Sequence, residues 1–130
     1  METIEKIEKM QNGKDGAEKW SSYEGYEVLT TKQKIRLGIS EGQSCCESTG
    51  FFWMNDKPEE FIGAQVNSVT ITDQALNTEK APEVYDGGVM YVNIETDRGT
   101  LQFTAYNAHN GYYGHSAIVR CEQLNHDTTL

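Results

Sequence analysis

Positive charge, cysteine and long apolar runs are all scarce in this chain of 130 residues. Eleven Lys and Arg against twenty Asp and Glu leave a net charge of −9, so the phosphate-neutralising field that direct DNA or RNA binding draws on is missing. The three cysteines include the neighbours Cys45 and Cys46, and adjacent cysteines pair with each other only through a strained ring. Reduced thiols follow, and no disulfide framework. No apolar run approaches the ~20 residues of a membrane span, and Met1-Glu2-Thr3-Ile4-Glu5 is not the start of a secretory signal. Together these absences place the protein in the cytoplasm.

Apolar residues at 37% and charged residues at 24% describe a polar but folded chain rather than a disordered one. Its length fits one domain, which buries roughly two-thirds of its extended surface without disulfides or metals. Seven Tyr, four Phe and two Trp supply much of the core.

Ile4, Ile7 and Met10 lie three apart among Glu and Lys, which predicts an N-terminal amphipathic helix over residues 1 to 11. A loop with a lone Trp20 follows, so residues 1–25 read as an extension of helix and loop. From Tyr26 the period is two: Tyr26 to Thr31, a turn at Lys32-Gln33, then Ile35, Leu37 and Ile39 alternating with polar positions. Cys45 to Ser48 reads as a loop, Phe51 to Met54 as a buried strand, and Asn55 to Gly63, with Pro58 and two acids near its start, as one or two helical turns. Val66, Val69 and Ile71 mark a Thr-rich strand, and Gln74 to Tyr85 a polar connection. Val89 to Thr96, Asp97-Arg98-Gly99 and Thr100 to Tyr106 form a hairpin pattern whose apolar faces are Met90, Val92, Ile94 and Leu101, Phe103, Ala105. Ala117, Val119 and Cys121 alternate in a last strand, and residues 125–130 look frayed. The expected fold is α+β and mainly β, with about seven mostly antiparallel strands, an N-terminal helix and one short helical turn. The β-rich domain spans residues 26–124.

Two features bear on function. Residues 66 to 100 hold Asp73, Glu79, Glu83, Asp86, Glu95 and Asp97 against only Lys80 and Arg98; this local negative field either serves solubility or complements a basic partner. Tyr106 to His115 crowds stacking faces and hydrogen-bonding tips around Gly111 and Gly114, and His109, Asn110, Tyr112, Tyr113 and His115 form a candidate loop for a ligand or partner. Cys45, Cys46, His109, His115, Cys121 and His126 are residue types that bind zinc, but no C-x-x-C pair is present and the spacing fits no finger or ribbon. A thiol of Cys45 or Cys46 activated by His109 or His115 would make a hydrolase, although spacing alone does not bring these residues together. Neither a phosphate loop nor a dinucleotide fingerprint is present. No catalytic residue, metal or cofactor is assigned.

Ser44-Cys45-Cys46-Glu47-Ser48, then Glu60-Phe61-Ile62-Gly63-Ala64, then Asn110-Gly111-Tyr112-Tyr113 is a pattern that resembles an uncharacterised domain family of bacteriophage and prophage proteins, over residues 26 to 122. The resemblance implies a phage or mobile-element origin, in the cytoplasm of a bacterial host. Small acidic proteins of that origin are often inhibitors of host defence nucleases. The leading expectation is a non-enzymatic, anti-CRISPR-like inhibitor that binds a nucleic-acid-processing defence protein, such as a CRISPR nuclease, with acids standing in for phosphates. The alternative is a protein that sequesters a nucleotide signal, with Arg36, Arg98 and Arg120 as its chief cations. A Cys/His hydrolase is the third reading. Neither direct nucleic-acid binding nor a membrane is implied, and a homo-oligomer is left open.

Overall fold

The computed structural model describes residues 2–9, 23–40, 47–82, 87–109 and 116–130, and within them nine strands form two antiparallel sheets. Strands β1 (Ile4–Lys9), β2 (Tyr23–Thr30), β3 (Lys34–Ser40), β8 (Ser116–Arg120) and β9 (Asn125–Thr129) make a five-stranded sheet in the order β1-β2-β3-β8-β9. Strands β4 (Glu47–Trp53), β5 (Val66–Thr72), β6 (Gly87–Thr96) and β7 (Gly99–His109) make a four-stranded sheet in the order β4-β7-β6-β5.

Alternation along the strands dictates how the sheets meet. In the β6–β7 hairpin Met90 pairs with Ala105, Val92 with Phe103 and Ile94 with Leu101, the register expected from the sequence, and all six are buried. Thr96 pairs with Gly99, so the loop is two residues long, and Gly99 takes φ 115, a conformation that side chains resist. Facing this hairpin are Val28, Ile35, Leu37, Ile39, Ala117 and Val119 of the other sheet. Phe103 sits at the junction, its ring 5.7 Å from Trp53 and 6.3 Å from Tyr26. Tyr26 in turn meets Phe51 edge-on at 5.6 Å. Such offset and edge contacts suit the ring quadrupoles.

The expected N-terminal helix is a strand. A β-bulge between Ile4 and Lys6 accounts for the misleading pattern. Ile4 pairs with Thr30, Lys6 with Leu29 and Ile7 with Val28, so Glu5 is an extra residue and a spacing of two becomes three while both isoleucines face inward. The same device operates in β5, where Val66 pairs with Thr96 and Ser68 with Glu95, leaving Asn67 extra. Thus the strand count is nine among the described residues, not seven. Glu47 and Ser48, expected in a loop, open β4. The expected helical turns shrink to one 3-10 turn, Pro58–Phe61, with proline in its first turn. The carbonyls of Glu60 in this turn and of Ile62 just after it each accept a hydrogen bond of 2.9 Å from Arg98.

Residues 125–130, expected to fray, include β9. Its sequence is polar, so no apolar alternation announces it; backbone pairing to β8 and one arginine hold it instead. Arg120 donates to Asn125 Oδ1 at 2.8 Å and to Asp127 Oδ1 at 2.7 Å. Beyond β9 the Leu130 carbonyl accepts from Asn107 Nδ2 at 2.9 Å. At another corner residues 2–4 run antiparallel to residues 63–66: Thr3 bridges Gln65, Gly63 N–H donates to Ile4 O at 2.7 Å and Val66 N–H to Glu2 O at 2.7 Å. One run of chain thereby joins both sheets.

At Gly25 in β2 a Cβ would lie 1.9 Å from the Leu37 carbonyl oxygen and 2.6 Å from Gly38 Cα of β3. Both obstacles are backbone, so no side-chain rotation relieves them. Gly25→Ala is expected to destabilise the fold by about 2–4 kcal/mol, read as a lower urea midpoint; an unchanged midpoint would contradict the close approach.

Candidate functional site

Residues 73–82 leave β5 without forming helix or strand, yet they are not slack. Their anchor is Gln102 on the outward side of β7, only 1% exposed. Gln102 Oε1 accepts the Leu76 N–H at 2.7 Å, while Nε2 donates to Gln74 O at 3.0 Å and to Asn93 Oδ1 at 2.8 Å. Its backbone is held as firmly: Gln102 N–H donates to Asn55 Oδ1 at 2.9 Å, and Gln102 O accepts from Met54 N–H at 2.8 Å. Every hydrogen-bonding group of this glutamine is therefore satisfied, as a buried amide requires. Further along, Lys80 forms an ion pair with Asp56 and reaches Met54 O at 3.4 Å. The hydrogen bond and charge of Lys80 hold the Asp56 carboxyl below its ordinary pKa. Next to Gln102 in the outward register, Thr104 and Tyr91 are also buried, and desolvation pushes the Tyr91 phenol up.

This pinned connection carries two of the predicted acids. Asp73 and Glu79 are exposed and have no ion-pair partner among the described residues. Glu95 and Asp97 lie elsewhere and are engaged. Glu95 Oε2 accepts from Thr100 Oγ1 at 2.7 Å, and Asp97 Oδ1 accepts the Gln65 N–H at 2.8 Å. Val66 pairs with Thr96 at one end of β5 and Thr72 with Tyr91 at the other, so Asp97 and Asp73 are separated by the strand's length, about 20 Å. Among the described residues Asp73 and Glu79 therefore lie on the connection that leaves β5, and Glu95 and Asp97 near the other end of that strand. Glu83 and Asp86 lie outside the described residues.

His109 is the last residue of β7 and pairs with Glu47, the first of β4. Asn110, Tyr112, Tyr113 and His115 lie outside the described residues, as do Cys45 and Cys46. Cys121 donates its thiol to Leu124 O at 3.3 Å, and burial pushes its pKa up, away from the thiolate that nucleophilic chemistry uses. Among the described residues no three of His, Cys, Asp and Glu are placed to hold a metal ion. The cations named for a nucleotide ligand are occupied within the fold: Arg36 lies 3.5 Å from Glu27, Arg98 binds the Glu60 and Ile62 carbonyls, and Arg120 clamps β9.

A second polar cluster closes the opposite corner. The Glu2 carboxylate is buried and accepts from Thr30 Oγ1 at 2.6 Å, Gln33 Nε2 at 2.8 Å and Gln123 Nε2 at 2.9 Å. Burial opposes its charge, but these three hydrogen bonds and the nearby Lys32 outweigh burial and lower its pKa. This cluster ties the N-terminal run to the β2–β3 and β8–β9 turns.

Sequence reasoning missed Gln102, Asn93 and Asn55, the residues that build the anchor. Their signal is faint: a long amide between Leu101 and Phe103, on the solvent side of a hairpin, beside a connection too polar to pack itself. The chain matches the model of a family described as a domain of unknown function (DUF7448) over residues 2–119, and it belongs to that family. None of the curated proteins or solved structures compared matches it. The match takes in β1 and the stretch after it.

Replacing Gln102 by Leu leaves the Leu76 amide and Asn93 carbonyl without their partner. Gln102→Leu is expected to cost roughly 2–4 kcal/mol and to open residues 73–82 to limited proteolysis; retained protease resistance would contradict the anchoring role. For Glu2 the folded pKa is lowered, so its stabilisation is complete above the ordinary value of 4.5 and is lost as pH falls through the lower folded value. Urea midpoints between pH 6 and acid should show this component in the native chain and lack it in Glu2→Gln, which should be weaker by about 1–2 kcal/mol at neutral pH.

Proposed function

We propose that this chain is a non-catalytic binding protein that docks through its acidic outer surface on a basic protein partner. The observation that carries the reading is the anchor at Gln102. It holds Asp73 and Glu79 on a connection fixed in advance, so little ordering entropy opposes binding. The net charge of −9 supports it, since such a field draws in a basic partner and repels nucleic acid. In its specific form the reading is a phage-type inhibitor of a host defence system: the partner is a nucleic-acid-processing protein, such as a CRISPR nuclease, and the carboxylates occupy its phosphate sites. Glu83 and Asp86 belong to the same acid-rich stretch of sequence.

Capture of a nucleotide signal is the weaker reading, because Arg36, Arg98 and Arg120 already have partners inside the fold.

Affinity purification from host lysate, followed by mass spectrometry, should recover a basic nucleic-acid-processing protein. Its association with the chain should weaken steeply with added salt. Asp73→Asn combined with Glu79→Gln should slow association by roughly tenfold while leaving the thermal midpoint in place. Capture that ignores both salt and these substitutions would defeat the electrostatic reading.

A further inference from the structure

Of the four edge strands, β1 carries Glu5, Lys6, Glu8 and Lys9, β4 opens with Glu47, and β9 carries Asp127. Strand β5, Val-Asn-Ser-Val-Thr-Ile-Thr, carries no charge at all. Exposed edges are ordinarily blunted by charge, proline or cover, because a row of free N–H and C=O groups is a template for another strand. Here the lower part of the edge is already used that way, since residues 2–4 add to residues 63–66 in antiparallel fashion. From Ser68 to Thr72 no strand pairs with it among the described residues. The large apolar side chains that are exposed among the described residues, Ile62, Ile71 and Leu76, all fall in the stretch around this strand. Beside β5 and β9 lies a groove of about 450 Å³ whose lining includes Ile71, Asp73, Met90, His126, Thr128 and Leu130.

We propose that β5 is a strand-addition site: an extended segment of the basic partner pairs with Ser68–Thr72, sends alternate apolar side chains into the groove, and sets a Lys or Arg against Asp73. This deepens the binding reading above and rests on it. The charge pattern selects the occupant. In a two-fold pairing of two copies over the free stretch Ser68–Thr72, Asp73 of one would stand opposite Asn67 of the other and meet no cation, and two chains of charge −9 repel; a basic-ended strand converts that cost into attraction. Backbone bonds supply the affinity and the groove the side-chain preference.

The probe is the synthetic peptide Lys-Val-Thr-Val-Thr-Val-Lys, with a Glu-ended version and a version with proline at the centre as controls. Titrated into the isotope-labelled full chain, the Lys-ended peptide should shift and protect the amides of residues 68–72, and the proline version should not bind. Ile71→Lys, at a site already 38% exposed and so compatible with folding, should weaken binding by roughly tenfold or more. Asp73→Asn with Glu79→Gln should keep the binding but lose the preference for Lys over Glu ends. Absence of binding at millimolar peptide, equal binding of the proline version, or shifts centred on β1, β4 or β9 would overturn the proposal. Concentration-dependent dimerisation abolished by Ile71→Lys would overturn it in favour of self-pairing. Peptide binding at β5 without recovery of a basic protein from lysate would refute the proposed function and leave the strand-addition site standing.

Discussion

From Leu101 to Ala105 strand β7 is out of water on both faces of its sheet, with all five residues at most 1% exposed. A strand buried on one face needs one layer to cover it; buried on two, it needs a second. The inward residues Leu101, Phe103 and Ala105 demand the five-stranded sheet. The outward residue Gln102 is polar, so whatever covers it must supply hydrogen bonds as well as bulk, whereas the buried hydroxyl of Thr104 has no hydrogen-bond partner among the described residues. Residues 73–82 do so through Gln102, and the acids they carry acquire a fixed position as a result. Core, cover and candidate binding surface therefore share one strand.

Where two-fold alternation is unbroken, the fold was legible in the sequence. The β6–β7 hairpin follows from apolar spacing and a turn that includes Gly99, although Gly99 itself pairs with Thr96 and shortens the expected three-residue turn to Asp97-Arg98, and the β2–β3 hairpin follows from Ile35, Leu37 and Ile39. The failures have definite physical causes. A single inserted residue in β1 turns strand spacing into helix spacing, because a bulge and a helical turn both place apolar side chains three apart. Strand β9 has no apolar face to betray it, being held by Arg120 and by backbone pairing. Within the candidate site, Asp73 and Glu79 were visible as acids, but their support was not, since a buried glutamine looks the same in sequence as an exposed one. The division of Glu95 and Asp97 from Asp73 is likewise a matter of strand register, which charge counting along the chain does not see.

Polar chemistry in this domain is spent mainly on closing corners. Glu2 joins three segments distant in sequence, Arg98 covers the Glu60 and Ile62 carbonyls, and Arg120 fastens β9. Side chains used in this way are poor candidates for recognition, because releasing them would undo the contacts that close those corners. What is left over is specific: carboxylates on an anchored connection and, beside them, an uncharged edge. In the proposed reading, the carboxylates would supply long-range attraction and the neutral, hydrogen-bonding strip would hold the partner.

Native-state hydrogen exchange at the Leu76 amide tests most directly whether the acid-bearing connection is held in place before any partner arrives. A clamp by Gln102 predicts exchange slowed by orders of magnitude relative to an unstructured peptide, with protection tracking the stability of the β6–β7 hairpin. Exchange at the unstructured rate, in a chain whose β7 amides remain protected, would show that the connection is loose and that no preformed surface exists.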